Sequence, residues 1–450
     1  MNLRNHRLQL SALALFVVAA VLAGAAAAGT GGTERVSLST GGGQANGGSD
    51  GRPAISADGT LVAFASTATD LASGATSGRG NVYLRYRASG ATQLISATRT
   101  GDEANGASSE PALSSNGRYV VFHTDATNLV PGGPAAGIVA LDRASNTITP
   151  VSVSGKQGAD GQNPSISDDG RYVAFQSNSP DLAPGKKATG NPPYIYVRDL
   201  VAQKTQLASV NSAGKPVGNF SQNPVISGNG RYVAFQSNNV AGTVNGTSDV
   251  FVHDLQTGST VLASVDSAGN PADRGDASYP SISSDGRYVA FDAAAQNLVP
   301  GDTNSAQDVF VHDMLTGRTT RVSVESAGDQ ADDSSDLFSN GPQISADGRY
   351  VTFESAASSL GPGDTNTCPG FGQPLFDCSV SGHCPDVFVH DLQTGATTRV
   401  SVDSSGGQAD GPSSEPALDS DGSAIAFLSA ATNLVPGDTN GVEDVFVRIP

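Results

Sequence analysis

Apolar residues along this chain come in short continuous runs, and polar turn residues separate them at regular intervals. Val289-Ala290-Phe291 and Val309-Phe310-Val311 are representative, three apolar residues in a row without the alternation of a half-exposed strand. Such runs suit strands covered on both faces. After residue 30 no stretch sustains a 3.6-residue apolar period, so long amphipathic helices are not expected. Between the runs stand pairs such as Asp285-Gly286 and Thr316-Gly317. They supply the positive-φ positions that tight hairpins require.

The runs belong to a repeat. The element Pro-x-(Ile/Leu)-x-x-(Asp/Asn)-Gly begins at Pro53, Pro111, Pro164, Pro224, Pro280, Pro342 and Pro416, at intervals of 53 to 74 residues. Residues 280–323 hold one unit, with strand A at Pro280–Ser283, B at Arg287–Ala293, C at Asp308–Asp313 and D at Thr319–Val324. A lone four-stranded sheet cannot bury both faces, so the units must pack on one another. The seventh unit stops after strand C, at Asp444–Val447, while Glu34–Ser39 near the N-terminus matches the D strands of other units. The chain is therefore expected to be all-β, a seven-bladed β-propeller of four-stranded antiparallel blades. The N-terminal strand would complete the last blade and close the ring, which removes exposed strand edges. Blades start near residues 52, 110, 163, 223, 279, 341 and 415.

Composition sharpens this picture. Gly (54) and Pro (24) are abundant, charged residues make up 15%, and Trp is absent, as a turn-rich β protein requires. Residues 1–28 read as a cleaved export leader, with Arg4 and Arg7, an apolar core over Leu8–Leu22, and small residues at Ala25–Ala28. Residues 29–33 would be a short linker and 34–450 the propeller. No later segment is apolar and long enough to span a bilayer. Loss of the leader takes the formal charge from −18 to −20. A surface this acidic disfavours nucleic acid and attracts cationic partners or divalent ions.

Each unit resembles the PD40 (WD40-like) repeat of the TolB type. The likeness lies in Pro-x-(Ile/Leu)-Ser-x-Asp-Gly, as in Pro280–Gly286, followed by two apolar strands, the second ending in Asp313. It covers roughly residues 34 to 450 and implies the propeller fold. It also implies a range of functions, from periplasmic partner-binding proteins to the propeller domains of serine peptidases. The chain departs from TolB in lacking its N-terminal domain, in having seven repeats, and in its long B–C loops.

Strand parity puts the tight A–B and C–D turns on one face of the disc and the long B–C and D–A loops on the other. Binding residues concentrate on loops held by a rigid scaffold, so the long-loop face is the expected functional surface. Its B–C loops carry Asp302, Asn304 and Asp308, then Asp438, Asn440 and Asp444, with Asp364, Asn366 and Asp386 in the sixth unit. This spacing resembles the opening of a calcium loop, and the same side chains would also cap loop amides as Asx turns. Cys368, Cys378 and Cys384 cluster in the sixth unit and are disulfide candidates in an exported chain. Three pairings are open, one thiol is left over, and His383 beside Cys384 admits a metal. His253, His312 and His390 recur at equivalent places, which argues for a structural role. Gly47–Gly51 matches Gly-x-Ser-x-Gly but lies in a loop with no helix to follow. No catalytic residue is assigned. The expected function is an exported, non-catalytic scaffold for a protein or cell-envelope ligand. The alternative is a hydrolase or lyase acting on a glycan or lactone.

Overall fold

The computed structural model describes residues 31–450, apart from 131–135, 155–156, 239–246, 333–334, 336–340, 362 and 368–382. The leader assigned to residues 1–28 and two of the three cysteines therefore lie outside the described residues.

Seven four-stranded antiparallel sheets form the blades of the expected propeller. Strands A to D of the first blade are Ser49–Ile55, Leu61–Ser66, Asn81–Tyr86 and Ala91–Leu94. Those of the second are Ser108–Leu113, Tyr119–Thr124, Gly137–Asp142 and Thr147–Pro150. The third has Gln162–Ile166, Tyr172–Ser177, Tyr194–Asp199 and Lys204–Leu207. The fourth has Gln222–Ile226, Tyr232–Asn238, Ser248–Asp254 and Thr260–Leu262. The fifth has Ala277–Ile282, Tyr288–Ala293, Asp308–Asp313 and Arg318–Arg321. The sixth has Gln343–Ile344, Tyr350–Ser355, Asp386–Asp391 and Thr397–Arg399. The seventh is Ser413–Leu418, Ile425–Ser429 and Asp444–Arg448, and its D strand is Thr33–Arg35. Thr33 pairs with Arg448 and Arg35 with Phe446, so the ring is closed as expected, by a strand that starts one residue earlier than the repeat suggested.

The core is divided among the seams. Seven hydrophobic clusters each join two neighbouring blades, including the seventh and the first, where Phe64 and Tyr83 meet Val36, Ala426, Val445 and Val447. Inside most blades an aromatic of strand B stacks on one of strand C, as Phe291 does on Phe310 with centroids 6.0 Å apart. Burying one such side chain contributes about 1.5–3 kcal/mol.

Repeated polar contacts fix the register. Ser323 donates to Asp308 Oδ1 at 2.5 Å and accepts from the Val309 amide at 3.1 Å, which ties strand D to strand C. Ser37 makes the same two contacts with Asp444 and Val445 in the closing blade. The hydroxyl of Thr260 donates to the Val210 carbonyl of the preceding blade at 2.6 Å. Its single proton is thereby committed, so the His253 Nδ1 at 2.8 Å must be the donor to it. His312 and His390 repeat the arrangement with Thr319 and Thr397. Burial holds all three imidazoles below their usual pKa and neutral, His253 at about 4. Their role is structural.

An Arg-Tyr pair stands at the start of strand B in blades two to six. Arg287 stacks over the Tyr288 ring at 4.7 Å and grips Asp313 at the end of strand C through two hydrogen bonds of 2.9 and 2.8 Å. The rings pack on the next blade. A Cβ on Gly286 would lie 2.1 Å from Tyr232, and the φ of +80° at this turn also calls for glycine.

The Asp-x-Asn loops have a built-in cation. Arg35 places Nη1 at 2.8 Å from Asp438 and 3.0 Å from Asp444, with all three side chains almost fully buried. Removing one partner of a buried ion pair strands the other charge, at a cost of about 3–5 kcal/mol. Arg35→Ala should therefore lower unfolding stability by about that amount in urea denaturation. Arg287→Ala, in a solvent-facing pair, should cost far less; equal losses would show that the closing strand has no special role.

Candidate functional site

Each A strand is the innermost strand of its blade, and the seven together line a central channel. Its two ends differ. On the short-turn face the residues that follow the motif serine, or Asp419 in the seventh blade, are Ala57, Ser115, Asp168, Gly228, Ser284, Ala346 and Ser420. Backbone hydrogen bonds stitch them together, from Ala57 to Ser115, Asp168 to Gly228, Ser284 to Ala346, Ala346 to Ser420 and Ser420 to Ala57. Asp168 reinforces this rim by accepting from Ser115 on one side and from Ser284, two blades away, at 2.6 Å. A Cβ on Gly228 would sit 2.1 Å from both the Asp168 and Ser284 oxygens. Glycine at this point lets the bridge pass over the fourth blade.

On the long-loop face the channel opens into a cavity of about 440 Å³. Its rim is formed by Arg52, Glu110, Asn163, Asn223, Tyr279 and Gln343 among others. A register shift near the start of strand A marks most blades. It places Glu110, Asn163, Asn223, Tyr279 and Glu415 in the left-handed region, with φ between 45° and 55°. Non-glycine residues reach this region only when their surroundings hold them there. The holding groups are side chains of neighbouring blades. Gln176 accepts from the Asn223 amide and Gln236 from the Tyr279 amide, both at 3.0 Å. Glu110 accepts from the Asn163 amide at 2.6 Å and Glu354 from that of Glu415 at 3.3 Å. Asn163 and Asn223 are linked directly at 2.8 Å. The mouth thus has an amide arc over blades three to five and a carboxylate arc at Glu354, Glu415 and Glu443. Glu443 is pushed up to about 7 by burial and by the neighbouring Glu415 and Asp50.

The surrounding loops are braced. Asp410 accepts from the Thr432 amide at 2.7 Å while Asn433 accepts from the Asp410 amide at 3.0 Å. Asp273 with Asn297 and Asn105 with Asn128 repeat the exchange between D–A and B–C loops.

The residues proposed for calcium are brought together, but around arginine. Asp302 and Asp308 face Arg321 at 3.7 and 3.5 Å, and Gln330 donates to both at 3.0 and 3.2 Å. Asp364 and Asp386 face Arg399 at 3.8 and 3.2 Å, with Gln408 in the same role. Asn304 and Asn440 bond the Ala331 and Ala45 carbonyls through Nδ2, and Asn304 closes an Asx turn on Ala306. The guanidinium does the charge balancing that the spacing suggested for a metal ion. Among the described residues no group of three or more His, Cys, Asp or Glu is arranged to hold a metal. Cys384 is buried and disulfide-bonded, whereas Cys368 and Cys378 lie outside the described residues.

The arginines left a trace in the sequence. The units that carry Gly-Asp-Thr-Asn, at 301–304, 363–366 and 437–440, are those whose D strand reads Arg-Val-Ser, at 321–323, 399–401 and 35–37. The rim residues had a weaker signal, because the place before the motif proline holds Arg52, Glu110, Asn163, Asn223, Tyr279, Gly341 and Glu415, with only Glu and Asn recurring.

No family model and no curated protein matches the chain. Solved structures do. An oligogalacturonate lyase from Vibrio parahaemolyticus aligns with a TM-score of 0.54 and 10% identity, over 93% of this chain and 97% of that one. The β-propeller domain of the Trilobed protease from Pyrococcus furiosus gives 0.53 and 11%, over 89% and 95%. TolB from Acinetobacter baumannii gives 0.37 and 17%, over 60% of this chain, which spans about half (53%) of the TolB chain. At these identities the two fuller matches establish a shared propeller fold and no more.

Two outcomes test this geometry. Gly228→Ala should cost about 1–3 kcal/mol by overpacking, and Asp168→Ala should relieve most of that cost in the double variant; additive losses in a double-mutant cycle would disprove the contact. For Glu443, a folded-state pKa raised to about 7 means the protonated form suits the fold. Its contribution is full below the unfolded value near 4.5 and is lost as pH rises through 7. Glu443→Gln should match the parent near pH 4 and exceed it in stability at pH 8, measured by thermal melts.

Proposed function

We propose that the chain is an exported, non-catalytic binding scaffold that engages a protein or cell-envelope ligand at the open mouth of its channel, on the long-loop face. The observation that carries this reading is the contrast between repeated and unrepeated positions. Through most of the ring, equivalent places hold equivalent residues that make equivalent contacts. At the mouth, the places before the motif proline hold Glu110 and Glu415, Asn163 and Asn223, Tyr279 and Gly341, with Arg52 in the longer first-blade bulge, and most of them take a conformation for which glycine would be cheaper. Building the fold does not require that variety, whereas recognising an unsymmetrical ligand does. A cavity of about 440 Å³ is in the range of ligand sites, and braced loops reduce the entropy lost on binding. Export rests on the pattern of Arg4, Arg7, Leu8–Leu22 and Ala25–Ala28.

A second reading has one observation in its favour. Glu443, raised to about 7 and next to Glu415 and Asp50, has the proton affinity of a general acid. Turnover of a glycan or lactone that disappears in Glu443→Gln would replace the binding reading with this one.

The test of the first is capture. Residues 29–450 are immobilised and exposed to solubilised envelope material, beside a variant carrying Glu110→Ala, Asn163→Gly, Asn223→Gly and Tyr279→Gly. The three glycine substitutions relieve left-handed strain, so the variant should fold. Capture by the parent and loss in the variant are expected; equal capture would remove the mouth as the site.

A further inference from the structure

We infer that the loops of the third blade form a second binding place on the long-loop face, one that takes an acidic glycan built of uronic acid sugars. This adds to the binding reading above and uses none of the mouth residues.

The charge of the chain is unevenly spread. Three of its five lysines, Lys186, Lys187 and Lys215, fall in the B–C loop of the third blade and the D–A loop that leaves it. Asp181 is the single acid in those loops, residues 178–193 and 208–221. By contrast the loop between blades five and six, residues 322–342, carries five acids and no base.

The fold brings the lysines together. A Cβ on Gly214 would lie 3.7 Å from Lys186 Nζ, so that ammonium sits beside the turn that presents Lys215. Asn211 holds the turn by accepting from the Ala213 and Lys215 amides at 3.0 and 3.1 Å. All three lysines are exposed, and none is in an ion pair among the described residues. Like charges gathered without a carboxylate between them favour an incoming anion.

A second observation, independent of charge, is Phe220. Its φ is +57°, a region that bulky side chains avoid, and its ring is 49% exposed. Core packing does not call for such a residue. In blades one, two, three, five and seven the same place, just ahead of strand A, holds Gly48, Ala107, Asp160, Asp276 and Pro412. Phe220 is fixed against the loop that carries Lys186 and Lys187, since its amide donates to the Asn191 carbonyl at 3.1 Å. Gly190–Asn191 and Gly218–Asn219 lock the two loops by the one parallel pairing among the described residues.

Ring and cations together select the partner. A sugar ring offers a face of C–H groups to the negative face of an aromatic, and a uronic acid adds a carboxylate for the lysines. An acidic peptide has the charge and no use for Phe220. Nucleic acid calls for a basic stripe along a domain, which this chain lacks. An anionic bilayer is flat and would meet the acidic loops as well.

Calorimetric titrations of residues 29–450 at low salt would use hexamers of glucuronate and of mannuronate, with cellohexaose as the uncharged control. At least one uronate hexamer should bind, cellohexaose should not, and high salt should weaken the binding. The triple variant Lys186→Ala, Lys187→Ala, Lys215→Ala should lose at least about tenfold in affinity, and arginine at the same places should restore it. Phe220→Gly should also lose about tenfold while its melting temperature holds or rises, because glycine suits that backbone. Failure of both hexamers to bind, or binding that survives either change, would overturn the inference. So would tighter binding of polyglutamate or oligothymidylate than of either hexamer. The mouth variant described above should keep its uronate affinity; a loss there would move the glycan to the mouth and remove the second place. Failure of the uronate site leaves the mouth reading to its own capture experiment.

Discussion

The structure depends on a single pairing, that of Thr33–Arg35 with the strand Asp444–Arg448. Every blade is apolar on both faces, so none has a side it can leave to water, and the array has no natural end. Closure resolves this only if the seventh sheet is as wide as the others. The N-terminal residues complete it by making the contacts that strand D makes elsewhere. Thr33 bonds the Val402 carbonyl of the preceding blade, Arg35 sits between two aspartates, and Ser37 ties down Asp444. A segment that reproduces three interactions belongs to the repeat, although it is separated from the seventh blade by nearly the whole chain.

Much of this was legible before any coordinates. Asp-Gly turns, unbroken apolar runs and the truncated seventh unit determine strand number, blade number and closure, because each follows from local geometry repeated seven times. The recurrent histidines could be judged structural for the same reason, and His253, His312 and His390 each lie on a threonine. The aspartates of the B–C loops were found, but their partners were not. Arg321 is close to Asp302 only because strand D returns beside strand C, a non-local consequence of folding. The channel mouth was harder still. Glu110, Asn223 and Tyr279 are conspicuous through backbone conformation and through the neighbours that hold it, and neither property is written in residue type.

Repetition and its exceptions divide the molecule's work. Seam contacts such as the threonine hydroxyl on the preceding blade's carbonyl, from Thr260 to Val210, Thr319 to Val265 and Thr397 to Val324, recur almost unchanged because every seam poses the same packing problem. The unmatched positions collect at one end of the channel, where the fold imposes no common solution. Four glutamates, two asparagines, a tyrosine and an arginine there give the ring a chemical front and back that its backbone lacks.

The stitched rim around Asp168 has a mechanical consequence. Main-chain hydrogen bonds join blades on both faces, Ala57 to Ser115 and Asp168 to Gly228 at this rim, and Ser49 to Glu443, Ser108 to Gly80, Ser221 to Pro193 and Ser413 to Pro385 at the opposite one. What the short-turn rim adds is a carboxylate that spans a whole blade, from Ser115 through Asp168 to Ser284. A blade clamped at both ends cannot tilt without breaking backbone bonds, so the ring behaves as a rigid collar.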